Sequence, residues 1–142
     1  MSKTTMIPQE LYQFTDETAL LIVAAKQEGR ILRAGNGELT MIEEFRIDTP
    51  HFSDNEALPQ ERGEQSNELQ EKIHHEYFDH FKTKLHALAP YFKPTHAYLF
   101  APKHVADELE KIMHPLFGTI PTKSIVGIFT KESPFELIKR LQ

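Results

Sequence analysis

The chain contains no cysteine and no tryptophan, and no apolar stretch approaches the roughly 20 residues that a membrane-spanning helix requires. Without cysteine there can be no disulfide, no thiol nucleophile and no Cys-based zinc site. That composition suits a reducing compartment. The opening residues, MSKTTMIPQELYQF, show no apolar core followed by a small-residue cleavage site, so no secretory signal is expected and a cytoplasmic location is. Internal repeats, low-complexity tracts, a P-loop and a G-x-G-x-x-G fingerprint are all missing from the sequence. What remains is 142 residues with 39% hydrophobic content. A chain of that length forms one domain and buries roughly 68–70% of its unfolded surface, so it needs no covalent staples.

The formal charge of −5 argues against broad, non-specific binding of nucleic acid. The charge is unevenly spread. Residues 1–78 hold 7 basic and 15 acidic groups, whereas residues 79–142 hold 9 basic and 6 acidic groups. The plain reading is that solvated faces differ in composition; the functional one is that the second half tolerates phosphate better than the first.

Residues 1–17 read as an N-terminal extension. Residues 18–25 form a short, nearly continuous apolar run, the pattern of a buried strand. A turn ending in Gly29 leads into a second strand over residues 30–34. Gly35-Asn36-Gly37 is a strong turn signal, because Asn and Gly accept positive φ. A third strand follows over 38–47, in which Leu39, Met41, Phe45 and Ile47 are expected to share a face. Ile42 breaks that period and marks a bulge. Residues 48–65 are polar, acidic and carry two prolines, so they read as a mobile loop. Ser66 is the expected N-cap of a long helix, with Asn67 competing for that place, and Leu69, Ile73, Tyr77, Phe81, Leu85 and Leu88 recur at spacings of four or three. Pro90 ends it. A strand over 95–100, a helix after Pro102, a strand over 124–130 and a helix opened by Ser133-Pro134-Phe135-Glu136 complete the chain. That last tetrapeptide is a capping box with proline at the first helical position. The expected fold class is α/β: one domain, residues 1–142, with a mixed five-stranded sheet in the order β-β-β-α-β-α-β-α, the order of a ribonuclease-H-like fold.

That order raises nuclease chemistry, which the residues do not support. Two-metal hydrolysis needs carboxylates on the sheet, and neither the opening strand nor residues 95–100 supply one. Four of the eight histidines, His74, His75, His80 and His86, fall on the long helix. Glu76 with His80 and His75 with Asp79 have chelating spacing, but no HExxH or other complete ligand set appears, so no metal and no cofactor is expected. No Gly-x-Ser-x-Gly elbow is present. The junction ahead of the long helix is more suggestive. It brings Gly63 and Gln65 to a helix N-terminus, which attracts anions, and a glutamine amide can orient water or contact an RNA sugar. A linker ending in a cap is the plain alternative.

At this junction the sequence resembles a known family. Arg62-Gly63-Glu64-Gln65-Ser66, followed by a long charged helix, is similar to the Gly-Gly-Gln-Ser loop and helix in the middle domain of archaeal and eukaryotic class-1 release factors. Residues 20–34, 98–109 and 124–138 extend the resemblance to the small bacterial relatives of that domain, also labelled host attachment proteins. The resemblance implies a release-factor middle-domain-like fold and a translation- or ribosome-associated role with ribosome, ribosomal RNA or tRNA as partner. It makes Gln65 the candidate catalytic residue for peptidyl-tRNA hydrolysis. Arg62, Gly63, Gln65, Lys82, Lys84, Lys103 and Lys123 are the candidate RNA contacts. Gly63 and Gln65 match the family motif, but Glu64 stands where the second glycine belongs. A side chain and a negative charge there oppose close approach to RNA, so the expectation is a factor without robust hydrolysis. The alternatives are a residual peptidyl-tRNA esterase and a non-catalytic protein-binding or homo-oligomerising module.

Overall fold

The structure, a computed structural model, describes residues 3–48 and 62–142; the side chains of residues 62–68 are outside that description. Strands β1 (Lys3–Met6), β2 (Ala19–Ala25), β3 (Glu28–Gly35) and β4 (Glu38–Arg46) precede helix α1 (Arg62–Leu88). Strand β5 (His96–Ala101), helix α2 (Lys103–Phe117), strand β6 (Thr122–Val126) and helix α3 (Pro134–Lys139) follow. The six strands form one sheet in the order β1-β4-β3-β2-β5-β6. The sheet is antiparallel across β1, β4, β3 and β2 and parallel across β2, β5 and β6.

Five strands were expected, and the sixth is β1, within the segment read as an extension. All four of its side chains are exposed, so it carries no apolar pattern to betray it. Its backbone pairs with β4 from Lys3 opposite Met41 to Met6 opposite Glu38. The residues behind it close over the sheet. Ile7, Leu11 and Phe14 are buried, and the segment is fastened to the Asn36-Gly37 turn by Ile7 N–H to Gly37 O and Gly37 N–H to Gln13 O, both 2.8 Å.

Strand β2 is buried along its whole length because it is central and covered on both faces. Leu20, Ile22 and Ala24 face α1 and α2, meeting Tyr77, Phe81, Leu85, Val105 and Leu109. Ala19, Leu21 and Val23 face the other way, toward Phe14, Phe129, Leu137 and Ile138. Helices thus cover both faces of the sheet, and the N-terminal segment shares the second face with α3.

One turn has the expected geometry, and the other is tighter than expected. Asn36 and Gly37 have φ of 46° and 81°. Lys26 and Gln27 close the β2–β3 hairpin at 50° and 65° without a glycine. Gly29 therefore lies inside β3 rather than in the turn. A Cβ there would come within 2.5 Å of Phe81 Cζ and 2.6 Å of Phe45, so the glycine makes room for aromatic packing.

The bulge at Ile42 is present: Leu32 pairs with Met41 and Ile31 with Glu43, leaving Ile42 as the extra residue. Its consequence corrects the expected shared face. Leu39 and Met41 pack with α3, whereas Ile42, Phe45 and Ile47 pack with α1 and α2. One inserted residue exchanges the two faces for the remainder of the strand. Helix α1 is also longer than expected. It includes Arg62, Gly63, Glu64 and Gln65, so Ser66 lies inside the helix rather than at its N-cap. Apart from glycine these residues are acceptable in a helix, and nothing in 62–65 forces a break. The remainder of the expected loop, residues 49–61, lies outside the described residues. Among the described residues, no helix is long and apolar enough to cross a membrane.

Candidate functional site

The residues singled out from sequence do not form one cluster. Gly63 and Gln65 belong to the first turns of α1, and the side chains of Arg62 and Gln65 are outside the description. Lys84 Nζ is 3.2 Å from Glu43, and Lys103 Nζ is 3.7 Å from Asp107. Lys82 and Lys123 are exposed, on α1 and on edge strand β6. The helix histidines serve separate roles. His75 and Asp79 are 3.2 Å apart on the surface, and His74 meets the edge of the Phe78 ring. His80 lies against Phe45 with centroids 4.0 Å apart, its Nε2 buried without a hydrogen-bond partner. Among the described residues, no three His, Asp or Glu side chains gather as a metal site would require.

Two polar constellations emerge that the sequence reading did not identify. The first is built on Glu17, immediately before β2. Its carboxylate accepts hydrogen bonds from the hydroxyls of Tyr12 and Tyr98, the latter at 2.6 Å, and lies 3.6 Å from His96 Nδ1. Thr95 Oγ1 accepts the Thr18 N–H at 2.9 Å and lies 2.8 Å from the same His96 nitrogen. Burial, and then the neighbouring carboxylate, push the Tyr98 phenol well above its ordinary range. With both oxygens held by tyrosine hydroxyls, the Glu17 carboxylate ties the N-terminal segment to β2 and β5.

The second lies at the end of the sheet where β2, β5 and β6 present their carboxyl ends. A pocket of about 430 Å³ opens there, lined among others by Val23, Glu28, Arg30, Glu44, Arg46 and Thr130. Position fixes each side chain. Arg30 stands opposite Val23 on one side and Glu44 on the other, and Glu28 opposite Arg46. The Ile42 bulge is what turns Glu44 and Arg46 toward this face. Arg30 is 7% exposed, the one charged residue among the buried side chains described, and its Nη2 donates to Phe129 O at 3.0 Å. Burial lowers its pKa, while Glu44, Glu28 and Glu132 pull it back up. Arg46 is already engaged, 3.6 Å from Glu28 and 3.5 Å from Asp48. Glu44 is exposed and in no ion pair among the described residues. The signal for Arg30 was available: with Leu32 and Ala34 it shares the period-two inward face of its strand.

Compared with known proteins, the chain matches no family model, and no curated protein matches it either.

Proposed function

We propose that the chain is a translation-associated factor of the release-factor middle-domain kind, binding the ribosome or its RNA without robust peptidyl-tRNA hydrolysis. The carrying observation is the position of Gly63-Glu64-Gln65-Ser66 in the opening turns of the longest helix. Those residues open a helix of 27 residues, about 40 Å long, and that length suits delivery of its tip to a partner. The sheet order supports the reading too. Ignoring β1, three antiparallel strands with two parallel strands beside the first, and helices on both faces, suit a ribonuclease-H-like arrangement.

Glu64 argues against hydrolysis, since a side chain and a negative charge at that position oppose the close approach to RNA that hydrolysis would need. The test is co-sedimentation of the purified chain with ribosomes and subunits from growing and starved cells. Binding that weakens on Gln65→Ala is expected; the protein remaining wholly in the supernatant under both conditions would overturn the reading. A peptidyl-tRNA hydrolysis assay separates the esterase alternative, which requires activity that Gln65→Ala abolishes.

A second reading, a self-associating module, is favoured by edge strand β6 and the residues after it, where Val126 and Ile128 are 63% and 55% exposed. Light scattering that gives a monomer at high concentration would remove it.

A further inference from the structure

The pocket beside Arg30 is used neither by the ribosome reading nor by the packing of either core. Its lining is the first argument. The pocket lies at the carboxyl end of β2, where β3 and β4 bring Arg30 and Glu44 to one opening with Thr130 of the loop after β6.

The second argument is charge. Taking a guanidinium out of water is unfavourable unless it is paired, and charged partners serve best. Arg30 is buried, yet the hydrogen-bond partner at its Nη2 is a neutral carbonyl, Phe129 O. The carboxylate directly across the strands, Glu44, is not within ion-pair distance of it. The other charges at the mouth are spoken for, since Glu28, Arg46 and Asp48 form a chain of contacts. A buried cation and a carboxylate that forms no ion pair among the described residues thus line one pocket without pairing.

That arrangement discriminates among ligands. A simple anion would find Arg30 but meet Glu28 and Glu44. A simple cation would find Glu44 but meet Arg30 and Arg46. A small molecule with an anionic end and a cationic end satisfies both. We propose that this pocket binds a free α-amino acid, its carboxylate on Arg30 and Thr130 Oγ1 and its ammonium on Glu44. The volume accommodates the backbone with a side chain directed to the open mouth. The site is independent of the Gln65 tip.

The experiment is calorimetry on the full chain with each of the twenty amino acids, checked by thermal shift. Acetate, inorganic phosphate, N-acetyl amino acids and amino-acid amides serve as comparison probes. At least one amino acid should give saturable binding, and both its acetylated and its amidated forms should lose it. Glu44→Gln, a change at an exposed position, should weaken binding about tenfold, the usual worth of one charge-assisted hydrogen bond. Thr130→Val should weaken it less, and Arg30→Gln should abolish it wherever circular dichroism shows the variant folded. The proposal is overturned if no amino acid binds, if acetate or phosphate binds as tightly as any amino acid, or if Glu44→Gln leaves the affinity unchanged.

Discussion

Gly29 and the Glu132–Arg140 pair show how single residues hold the open end of this sheet together. Gly29 carries no turn; its missing Cβ is the space that the Phe45 and Phe81 rings occupy. Phe81 is fully buried and cannot swing away. Gly29→Ala should therefore cost about 1–3 kcal/mol through overpacking, read as a lower urea midpoint with unchanged slope. On the opposite face, Arg140 grips Glu132 with two hydrogen bonds of 2.7 and 2.6 Å and lies 4.7 Å above the Phe129 ring. Those hydrogen bonds hold the Glu132 carboxyl below its ordinary range. A carboxyl depressed on folding contributes its stability above the unfolded-state value and loses it as pH falls through the folded-state one. Arg140→Gln should accordingly be less stable than the parent at neutral pH. The gap should narrow in acid below the usual carboxylate range without closing, because contact with the Phe129 ring is not titrated. Denaturation curves at several pH values for both proteins check this; a gap that is constant or widens in acid would contradict it.

At the scale of elements, the best-read piece of the chain is also the smallest helix. The Ser133 hydroxyl accepts from Glu136 N–H at 3.3 Å, and the Glu136 carboxylate accepts from Ser133 N–H at 3.2 Å. With Pro134 at its first position, α3 has only 6 residues and needs that cap to present Leu137 and Ile138 to the sheet. Ser133→Ala should lower stability by about 1 kcal/mol by thermal or urea unfolding, and Ser133→Asp should restore most of the loss. The capping box was legible because its signal is local: four residues determine it. The Asn36-Gly37 turn, the seven-residue buried β2 and the bulge at Ile42 were legible for the same reason. The expected common face of Leu39, Met41, Phe45 and Ile47 failed because a bulge propagates, so recognising it without carrying its one-residue shift forward left Phe45 on the wrong side. Strand β1 was hidden because an exposed edge strand is held by its backbone, to which side-chain pattern is blind. The start of α1 was misplaced because a good capping residue, Ser66, was read as a boundary in a stretch that helix also tolerates. The pocket was missed for a different reason: Arg30 and Glu44 become neighbours only through strand pairing, and Glu44 reaches that face only through the bulge.

For the whole molecule, the charge split sets what the proposed ribosome binding must look like. The chain is acidic overall, and the half containing the Gly63-Gln65 tip holds most of the acid. Non-specific attraction to RNA is therefore weak, and affinity would have to come from a few placed cations plus shape. Of the four lysines considered, Lys84 and Lys103 face Glu43 and Asp107, so moving either to a phosphate means giving up an existing partner. Lys82 and Lys123 are in no ion pair among the described residues and are the better donors. Replacing both with alanine should weaken co-sedimentation more than replacing Lys84 and Lys103 together. The salt dependence gives a sharper measure, because each phosphate contact adds roughly 0.7–0.9 to the slope of log affinity against log salt. A parent slope with magnitude near 2, falling toward zero in the Lys82/Lys123 variant, would assign the contacts. A steep slope that the variant leaves untouched would place the electrostatic footprint elsewhere on the chain. A flat parent slope would mean that ribosome binding proceeds through protein surfaces rather than phosphate.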